Sequence, residues 1–413
     1  MRILIVTQYF WPENFRINDL CGELAQRGHN VTVLTGKPNY PGGVVFDEYK
    51  QSPSSFNQYQ GCEVVRVPVI ARGGGGSTKL ILNYASFALS ASLFGLFKLR
   101  KKEFDVTFVF EPSPITVGLP AICFKVLNNI PIVFWVLDLW PETLEAVGVI
   151  KSKKALWLVG KLVSFIYKHC DLILGQSKGF LGGISQYCDD KEKIKYFPSW
   201  SDKINTENPA KSVEVIPGHD SSFKVLFAGN VGEAQDFTSI LDAAEILKTK
   251  GVAAKIFVVG DGRKFSWVKA QVESRQLGDY VYLLGRHPLE MMPGFYASAD
   301  ALLVTLKKSK AFSMTIPGKV QSYMDAEKPI LSMLDGEGSR VIEGANCGYT
   351  SNAGDYINLA NSIIRMSQLK QEGLDQLGLN GKLYLDKEFN RSKLVSQLEI
   401  WFGAVAKSSR KYE

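Results

Sequence analysis

The sequence predicts an α/β protein with two domains, each built on a parallel β-sheet covered by helices. The first observation is length: 413 residues exceed what a single hydrophobic core usually serves. The second is composition, because 46% hydrophobic and 22% charged residues with mean hydropathy near zero are typical of a globular protein. The third is pattern: short apolar runs alternate with helical segments from the first residue, which indicates βα units.

The first half of the chain carries the first series of βα units. Its predicted strands are Ile3–Thr7, Val31–Thr35, Val64–Val67, Val106–Phe110, Ile132–Trp135, Leu172–Gly175 and Ile194–Phe197. The first helix should run from about Asn18 to Arg27 and end at Gly28, since glycine readily adopts the left-handed conformation that closes a helix. We therefore expect a Rossmann-like domain over residues 1–200.

The second half repeats the pattern after an interruption. Between Pro198 and Ser222 the composition is that of a linker or a long surface loop. The strands predicted beyond it are Lys224–Ala228, Lys255–Val259, Val281–Leu284, Ala301–Thr305, Ile330–Met333 and Gly348–Thr350. A second Rossmann-like domain is expected over residues 223–388. Apolar residues at helical spacing then predict a C-terminal helix within 389–413 that packs back across the domains.

Charge and cysteine usage narrow the choice of partner. A net charge of +7 suits a polyanionic ligand or an anionic membrane surface. Nucleic acid is not expected as a partner, because the chain has no block of five or six like charges, no zinc-finger spacing and no RNA-recognition motif. No metal site is expected, since neither the cysteines nor the histidines have ligand spacing. The apolar run at the N-terminus is too short for a signal peptide, which predicts a cytoplasmic protein.

An apolar segment from Leu80 to Leu99 is nearly as long as a bilayer span and is followed by Arg100, Lys101 and Lys102. Three interpretations stay open: a membrane span, a buried helix, and a helix that lies on the membrane with a basic flank. Polar residues interrupt the segment, and a span would divide what otherwise reads as one sheet. The sequence therefore favours the last two interpretations.

Candidate ligand-binding turns follow the strands of the second domain, where open parallel sheets bind ligands. Gly229 and Asn230 follow the first strand, and their turn allows the backbone to approach a ligand closely. A plain β–α turn explains them equally well. Arg263 follows the next strand in the turn VVGDGR and would add a cation at this edge of the sheet.

The segment Phe312–Met324 gives a sharper signal. Thr315 is expected to cap a helix, and Gly318 leaves its amide unshielded by a side chain. A helix start presents free N–H groups and a positive dipole to an anion. Lys319 adds a point charge, so the segment predicts a phosphate site, with an unliganded helix start as the alternative.

Asp138 is the candidate for acid–base chemistry in the first domain, with Glu142 as a second. Asp138 stands among tryptophans and leucines, where burial of an unpaired carboxylate is costly. A carboxylate held there could accept a proton from a hydroxyl or stabilise a positive charge. A salt bridge or helix cap is the alternative. Ser113, after another strand, is expected to be only a helix N-cap.

Several motifs together resemble one family. They are QYFWPENFRINDLCGELAQRGHNVTVLTGKPNYPGG near the N-terminus, and FAGNVGEAQDF, VVGDGR, LLGRHP and TIPGKVQSYMDAEKPIL in the second half. The whole chain resembles the family-4 glycosyltransferases of the GT-B fold, in which two Rossmann-like domains face a central cleft. It is most similar to the bacterial branch that includes fucosamine transferases of O-antigen and capsule assembly.

The resemblance implies a nucleotide-diphospho-sugar donor, usually a UDP-sugar and here an N-acetylated deoxyhexosamine, held mainly by the C-terminal domain. It also implies retention of stereochemistry and no metal or other cofactor. Base recognition would use backbone near Gly285 and Arg286. The glutamates usual in this family fall on Met314 and Ser322, and its usual Arg and Lys fall on Asn230 and Gln235. We therefore expect Lys319 and Arg263 to supply the missing charge.

The resemblance also assigns the acceptor to the first domain. Glu13, Arg16, Asn18 and Tyr40 are the expected acceptor-binding residues, with surface caps of a helix as the alternative for the first three. The expected acceptor is a lipid-diphosphate-linked glycan, with the protein peripheral on the cytoplasmic membrane face. Two rival functions stay open: a sugar-nucleotide isomerase or epimerase of the same fold, and a sugar-nucleotide-binding protein without catalysis.

Overall fold

The computed structural model describes residues 1–74, 77–146, 148–200 and 221–410. The chain forms two compact units. The first comprises Met1–Pro198 together with Ser392–Glu413, and the second comprises Ser199–Arg391. The linker expected between Pro198 and Ser222 falls almost entirely on residues 201–220, outside the described residues.

The first unit is built on a sheet whose described strands run in the order β3-β4-β2-β1-β5-β6-β7-β8. The strands are β1 (Arg2–Val6), β2 (Asn30–Gly36), β3 (Gln58–Tyr59), β4 (Cys62–Val67), β5 (Val106–Glu111), β6 (Ile132–Val136), β7 (Leu172–Gly175) and β8 (Ile194–Tyr196). Only β3 pairs antiparallel, as a short hairpin with β4. The seven predicted strands are confirmed to within two residues at either end, whereas β3 was too short to leave a pattern.

Helices cover both faces of this sheet. They are α1 (Arg16–Gln26), α2 (Asp47–Gln51), α3 (Ser77–Ser90), α4 (Leu96–Leu99), α5 (Gly118–Asn128), α6 (Glu142–Ala146), α7 (Lys153–His169) and α8 (Lys178–Ile184). Crossovers between parallel strands are right-handed. The chain passes from β1 to β2 in one direction across the sheet and from β4 through β5 and β6 to β7 in the other. Therefore α1 lies on one face, and α3, α4, α5 and α7 lie on the opposite face.

The first helix starts at Arg16, two residues before the predicted start, and Gly28 follows it with a φ of +86°. The predicted left-handed glycine is confirmed.

The segment between Ser77 and Leu99 forms α3, a π-helical turn at Ala91–Gly95, and α4. One side of it is buried: Asn83 is inaccessible to solvent, where its amide oxygen accepts a hydrogen bond of 2.6 Å from Gln8 Nε2 and its amide nitrogen donates to the Ile70 carbonyl. The other side is exposed. Thr78–Leu99 is long and apolar enough to cross a bilayer, but this polar attachment ties it to the first unit. The segment is thus a helix buried on one side and exposed on the other.

The predicted C-terminal helix is confirmed as α17 (Arg391–Arg410). It completes the core of the first unit, where the ring of Phe402 packs against Phe108 with centroids 5.5 Å apart. Glu399 accepts hydrogen bonds from Arg27 at 2.9 Å and lies 2.7 Å from His29 Nε2. The first unit is therefore closed by the last segment of the chain.

The second unit has an all-parallel sheet in the order β11-β10-β9-β12-β13-β14. Its strands are β9 (Phe223–Ala228), β10 (Ala254–Val259), β11 (Val281–Gly285), β12 (Ala301–Thr305), β13 (Ile330–Met333) and β14 (Gly348–Ser351). Its helices are α9 (Phe237–Thr249), α10 (Phe265–Ser274), α11 (Met292–Ala297), α12 (Lys310–Ser313), α13 (Gly318–Asp325), α14 (Glu337–Ala345), α15 (Tyr356–Ser367) and α16 (Gln371–Glu388). Every strand predicted for this half is confirmed.

Candidate functional site

Two glycine turns meet at the carboxyl ends of β9 and β10. Gly229 and Gly260 have φ angles of +139° and +138°, which side chains rarely allow. A Cβ atom at Gly260 would lie 1.8 Å from the Gly229 carbonyl oxygen, so the two backbones are in direct contact. The Gly260 N–H in turn donates to the Gly285 carbonyl at 2.7 Å. Glycine is required here because the backbone occupies the space of a side chain.

A pocket of about 390 Å³ opens beside these turns. Its lining residues are Gly229, Asn230, Val259, Gly260, Asp261, Gly262, Arg286, His287 and Met292. Three predicted donor residues therefore line one cavity: Gly229, Asn230 and Arg286. Gly285 joins them through its hydrogen bond to Gly260, whereas Arg263 is exposed to solvent and is not among the lining residues.

The side chain of Lys319 packs against the turn that contains Gly229. Its Nζ atom is buried and has no hydrogen-bond partner in the part of the chain that the structure describes. It lies 3.6 Å from the centre of the Phe227 ring, a cation–π contact. A Cβ atom at Gly229 would be 2.8 Å from Nζ, so the missing side chain makes room for the amine. Burial lowers the pKa of Lys319 to about 7 because the charged form loses its hydration.

Helix α13 carries Lys319 in its first turn and starts at Gly318, with Pro317 in the cap position. The first amides of a helix have no partner within it, so they are available to an anion. The expected cap at Thr315 is wrong: its hydroxyl donates to the Ala311 carbonyl at 3.1 Å, one turn back. Ser322 likewise donates to the Gly318 carbonyl at 3.2 Å. No side chain from Thr315 or Ser322 therefore caps the start of α13. The positive charge at this helix start comes from Lys319.

Asp138 follows β6 in the first unit, and its half-buried carboxylate is surrounded by hydrogen-bond donors. Trp140 Nε1 donates a hydrogen bond to Oδ2 at 3.1 Å, and the hydroxyls of Ser113 and Thr143 lie near the carboxylate. These donors favour the ionised form, yet burial dominates and raises the pKa of Asp138 above its usual value. A carboxylate held in place with a raised pKa has the properties of a general base.

Ser113 is not the helix cap that the sequence suggested. The following helical turn begins at Ile115 after Pro114, and the Ser113 hydroxyl lies near Asp138 and Tyr84, where it lowers the pKa of both groups. Its φ of +120° is a backbone conformation that residues with a side chain rarely adopt. Ser113 therefore belongs to the surroundings of Asp138.

Glu111, the last residue of β5, is fully buried next to Asp138. The N–H groups of Leu137 and Asp138 approach its carboxyl group, but no described residue makes a well-formed hydrogen bond to it. Burial, reinforced by the charge of Asp138, raises the pKa of Glu111 well above its usual value. If Glu111 is protonated, the negative charge of this pair of carboxyl groups resides on Asp138.

The state of Glu111 predicts how stability depends on pH. Its raised pKa means that the folded protein holds a proton that the unfolded chain releases, so this stabilisation is present at acidic pH and is lost as pH rises through the folded pKa. Glu111→Gln keeps the size of the side chain but removes the group that titrates. We expect its melting temperature to exceed that of the wild type by a few degrees at pH 9 and to differ less at pH 5, measured by calorimetry. A constant difference across this range would contradict a protonated Glu111.

Glu142, the second candidate for acid–base chemistry, is the first residue of α6 and has a hydrogen-bond partner other than Asp138. Its Oε1 accepts a hydrogen bond of 3.2 Å from the Tyr187 hydroxyl. Burial and this carboxylate raise the pKa of Tyr187 to about 12. In the described part of the chain, no hydrogen bond joins Glu142 to Asp138.

The expected acceptor residues divide into two kinds. Glu13 is buried and accepts the backbone N–H groups of Asn39 and Tyr40 at 2.7 Å and of Phe10 at 3.1 Å. Asn18 accepts the Trp11 N–H and donates to the Glu13 carbonyl. The side chains of Glu13 and Asn18 thus hold the backbone of residues 10–13 and 39–40 in place.

Tyr40 and Arg16 are the other two expected acceptor residues. Tyr40 is 36% exposed, with its ring against Phe15 and Tyr9 and under the Arg72 guanidinium. Arg16 opens α1 and lies beside this loop in sequence. For both of them, contact with an acceptor stays a prediction.

Two family models match successive parts of the chain. Residues 14–200 match the glycosyl transferase 4-like domain, and residues 222–368 match glycosyl transferases group 1. The first match includes every described strand of the first unit's sheet except β1, and the second includes β9 to β14. The chain belongs to the group 1, family-4-like glycosyltransferases. The resemblance inferred from the motifs is thereby confirmed.

Relatives of this glycosyltransferase are distant. It is 28% identical over 256 residues to WbjE of Pseudomonas aeruginosa, a protein assigned as a glycosyltransferase, covering 58% of this chain and 61% of the relative. It is 24% identical over 340 residues to WcaI of Escherichia coli K12, assigned to colanic acid biosynthesis as a glycosyl transferase, covering 78% and 81%. The chain thus spans less than two thirds of the first relative's length.

A solved structure with the same fold is that of Anabaena HepE in complex with UDP and glucose. It superposes with a TM-score of 0.65 at 16% identity and covers 98% of this chain and 99% of that one. The predicted class of two Rossmann-like domains with a C-terminal helix, the GT-B fold, is confirmed.

Proposed function

We propose that this glycosyltransferase transfers a sugar, an N-acetylated deoxyhexosamine, from a UDP-sugar to a hydroxyl of a lipid-diphosphate-linked glycan in surface-polysaccharide assembly. The observation that carries the donor half of the proposal is the buried Lys319 ammonium beneath Gly229. Transfer would proceed with retention and without a metal ion.

An amine without a hydrogen-bond partner is costly to bury, so its placement calls for a compensating anion. A diphosphate supplies one, since a cation beside phosphate oxygens forms strong charge-assisted hydrogen bonds. The first amides of α13 offer further donors, and Gly229 and Gly260 let the backbone approach the ligand. The developing charge on the departing diphosphate would be stabilised by these same groups.

The pocket beside Gly229 has a size and chemistry that fit the nucleoside part of the donor. Its volume of about 390 Å³ lies within the usual range for small-molecule sites. Arg286 and His287 line it with polar groups, and Met292 and Val259 provide apolar contact for a base. The presence of UDP and glucose in the HepE complex, which has the same fold, supports a UDP-sugar over other donors.

The reaction needs a carboxylate that Met314 and Ser322 do not provide, and Asp138 is our candidate. It lies at the carboxyl end of β6, the edge at which such sheets bind ligands. As the bond between the anomeric carbon and the diphosphate breaks, the acceptor hydroxyl would attack on that same face, which retains the stereochemistry, and Asp138 would take the hydroxyl proton as general base. The assignment of WcaI to colanic acid biosynthesis supports a polysaccharide as the product.

Calorimetric titration with UDP, GDP, ADP and NAD, with a chelator present, tests the donor assignment. We expect UDP to bind at least about tenfold more tightly than the other three, since that ratio corresponds to one or two additional hydrogen bonds to the base. Tighter binding of another nucleotide, a requirement for a divalent metal, or no binding of UDP would contradict the proposal.

A further inference from the structure

Exposed apolar side chains gather on one face of the first unit. Eleven of the nineteen large hydrophobic residues exposed in the described chain lie on α3 to α4, α5 and α7. Prominent members are Leu93, Phe97, Val126, Leu127, Trp157 and Leu158, each between 62% and 71% exposed. Isolated exposed hydrophobic residues are ordinary on a protein surface, but their concentration on three helices indicates an interaction site.

The three helical segments form one layer. Residues of α3 contact α5, and residues of α5 contact α7. The direction of the crossovers places all of them on the face of the sheet opposite α1. We call this face, formed by the exposed sides of α3 to α4, α5 and α7, the three-helix surface.

The charged residues of the three helical segments themselves have one sign. The sequence contains no aspartate or glutamate in residues 77–102, 114–131 or 150–170. The same stretches contain five, one and five lysines or arginines. Of these cations, Lys102 pairs with Glu63 and Lys125 with Asp171 from neighbouring elements. The surface therefore combines large apolar side chains with an excess of positive charge.

Cations and aromatic rings are also paired on this surface. The Arg100 guanidinium lies 4.0 Å from the centre of the Phe97 ring, and Lys161 Nζ lies 5.4 Å from that of Trp157. Long basic side chains beside aromatic rings suit the boundary between lipid headgroups and acyl chains, where one part of the pair is solvated and the other is buried.

We infer that the three-helix surface docks this protein on a membrane that contains anionic phospholipid. The apolar side chains of α4 and α7 enter the headgroup boundary while the lysines and arginines remain among the phosphates. Charge complementarity favours this occupant over a second copy of the chain, whose surface would bring like charges together. A span by α3 would require breaking the Asn83 bonds to Gln8 and Ile70.

Vesicle co-sedimentation of the full chain tests the inference. The probes are phosphatidylcholine vesicles with and without phosphatidylglycerol, each at low and high salt. We expect binding to the vesicles that contain phosphatidylglycerol, weakened by salt because exposed charges are screened. Equal binding to both vesicle types, or no binding to either, would overturn the inference.

Matched variants separate the two components of the surface. Lys153→Gln with Lys154→Gln should weaken partitioning about 25-fold, since each basic residue near an anionic surface contributes roughly a factor of five. Leu93→Ser with Phe97→Ser should weaken it at least about tenfold through lost apolar burial. The controls are Lys269→Gln and the pair Leu379→Ser with Leu383→Ser, exposed residues of the second unit that should leave partitioning unchanged.

Two results would assign the surface differently. Equal losses in the surface and control variants would show non-specific adsorption and overturn the inference. A dimer in sedimentation equilibrium that Leu93→Ser with Phe97→Ser dissociates would identify a self-interface instead. UDP titration of the same samples keeps the donor proposal separate, because docking and donor binding involve different units and either can fail alone.

Discussion

Lys319→Met is expected to weaken UDP binding about 10- to 100-fold, the range for loss of a charged hydrogen bond. The same substitution should leave the melting temperature unchanged or raise it, since it removes a buried cation that has no hydrogen-bond partner among the described residues. Weaker binding with undiminished stability is the signature of a group placed for a ligand. Calorimetric titration and thermal unfolding measure the two effects.

The free enzyme's pKa for Lys319, about 7, adds a dependence on protons. A bound diphosphate raises this pKa, so above pH 7 UDP binding takes up a proton, and buffers of different ionisation enthalpy reveal that uptake at pH 8. Lys319→Met should abolish the uptake. Lys264→Met is the control, because Lys264 is a nearby cation already paired with Glu233 at 2.8 Å. Unchanged UDP affinity in Lys319→Met would refute the phosphate site.

Asp138→Asn is expected to reduce turnover by about 10²- to 10⁴-fold, the usual contribution of a general base. UDP affinity should change little, because the donor groups lie in the second unit. The assay is UDP release from UDP-sugars with a synthetic polyprenyl-diphosphate-linked sugar as acceptor. In the wild type, activity should fall with decreasing pH at a value above the usual aspartate pKa, since burial raises the pKa of Asp138.

Glu142→Gln is the matched control for Asp138→Asn. Its carboxylate accepts a hydrogen bond from Tyr187 and makes none with Asp138 in the described part of the chain, so we expect less than about a tenfold loss of turnover. Full activity in Asp138→Asn would remove Asp138 from the mechanism. Equal losses in the two variants would indicate a general disturbance of the first unit.

The fold could be predicted from the sequence because its signals are repeated and local. Each buried parallel strand, such as Ala301–Thr305 or Leu172–Gly175, is a short apolar run between helical segments, and its bounds agree with the structure. The strand Gln58–Tyr59 was not predicted, because its two residues are polar or half-exposed and form no such run. Periodicity thus predicts the elements that build a core and not the short additions at its edge.

The candidate site could be predicted only in part. Lys319 was found from its neighbours Pro317 and Gly318, but its burial under Gly229 depends on a contact between residues ninety positions apart in sequence. The cap at Thr315 and the role of Ser113 failed because hydroxyls choose among several nearby acceptors that only the folded backbone defines. Glu111 left one signal, a carboxylate at the end of an apolar strand, and its meaning depends on Asp138 beside it.

The attachment of α17 to the first unit has a consequence for biosynthesis. The second unit is an insertion, because the first unit needs both Met1–Pro198 and the segment that begins at Ser392. A ribosome delivers every residue of the second unit before Phe402 can cover Phe108. Domains fold largely as units during synthesis. The sheet of the first unit therefore acquires α17 only after the whole second unit has been synthesised.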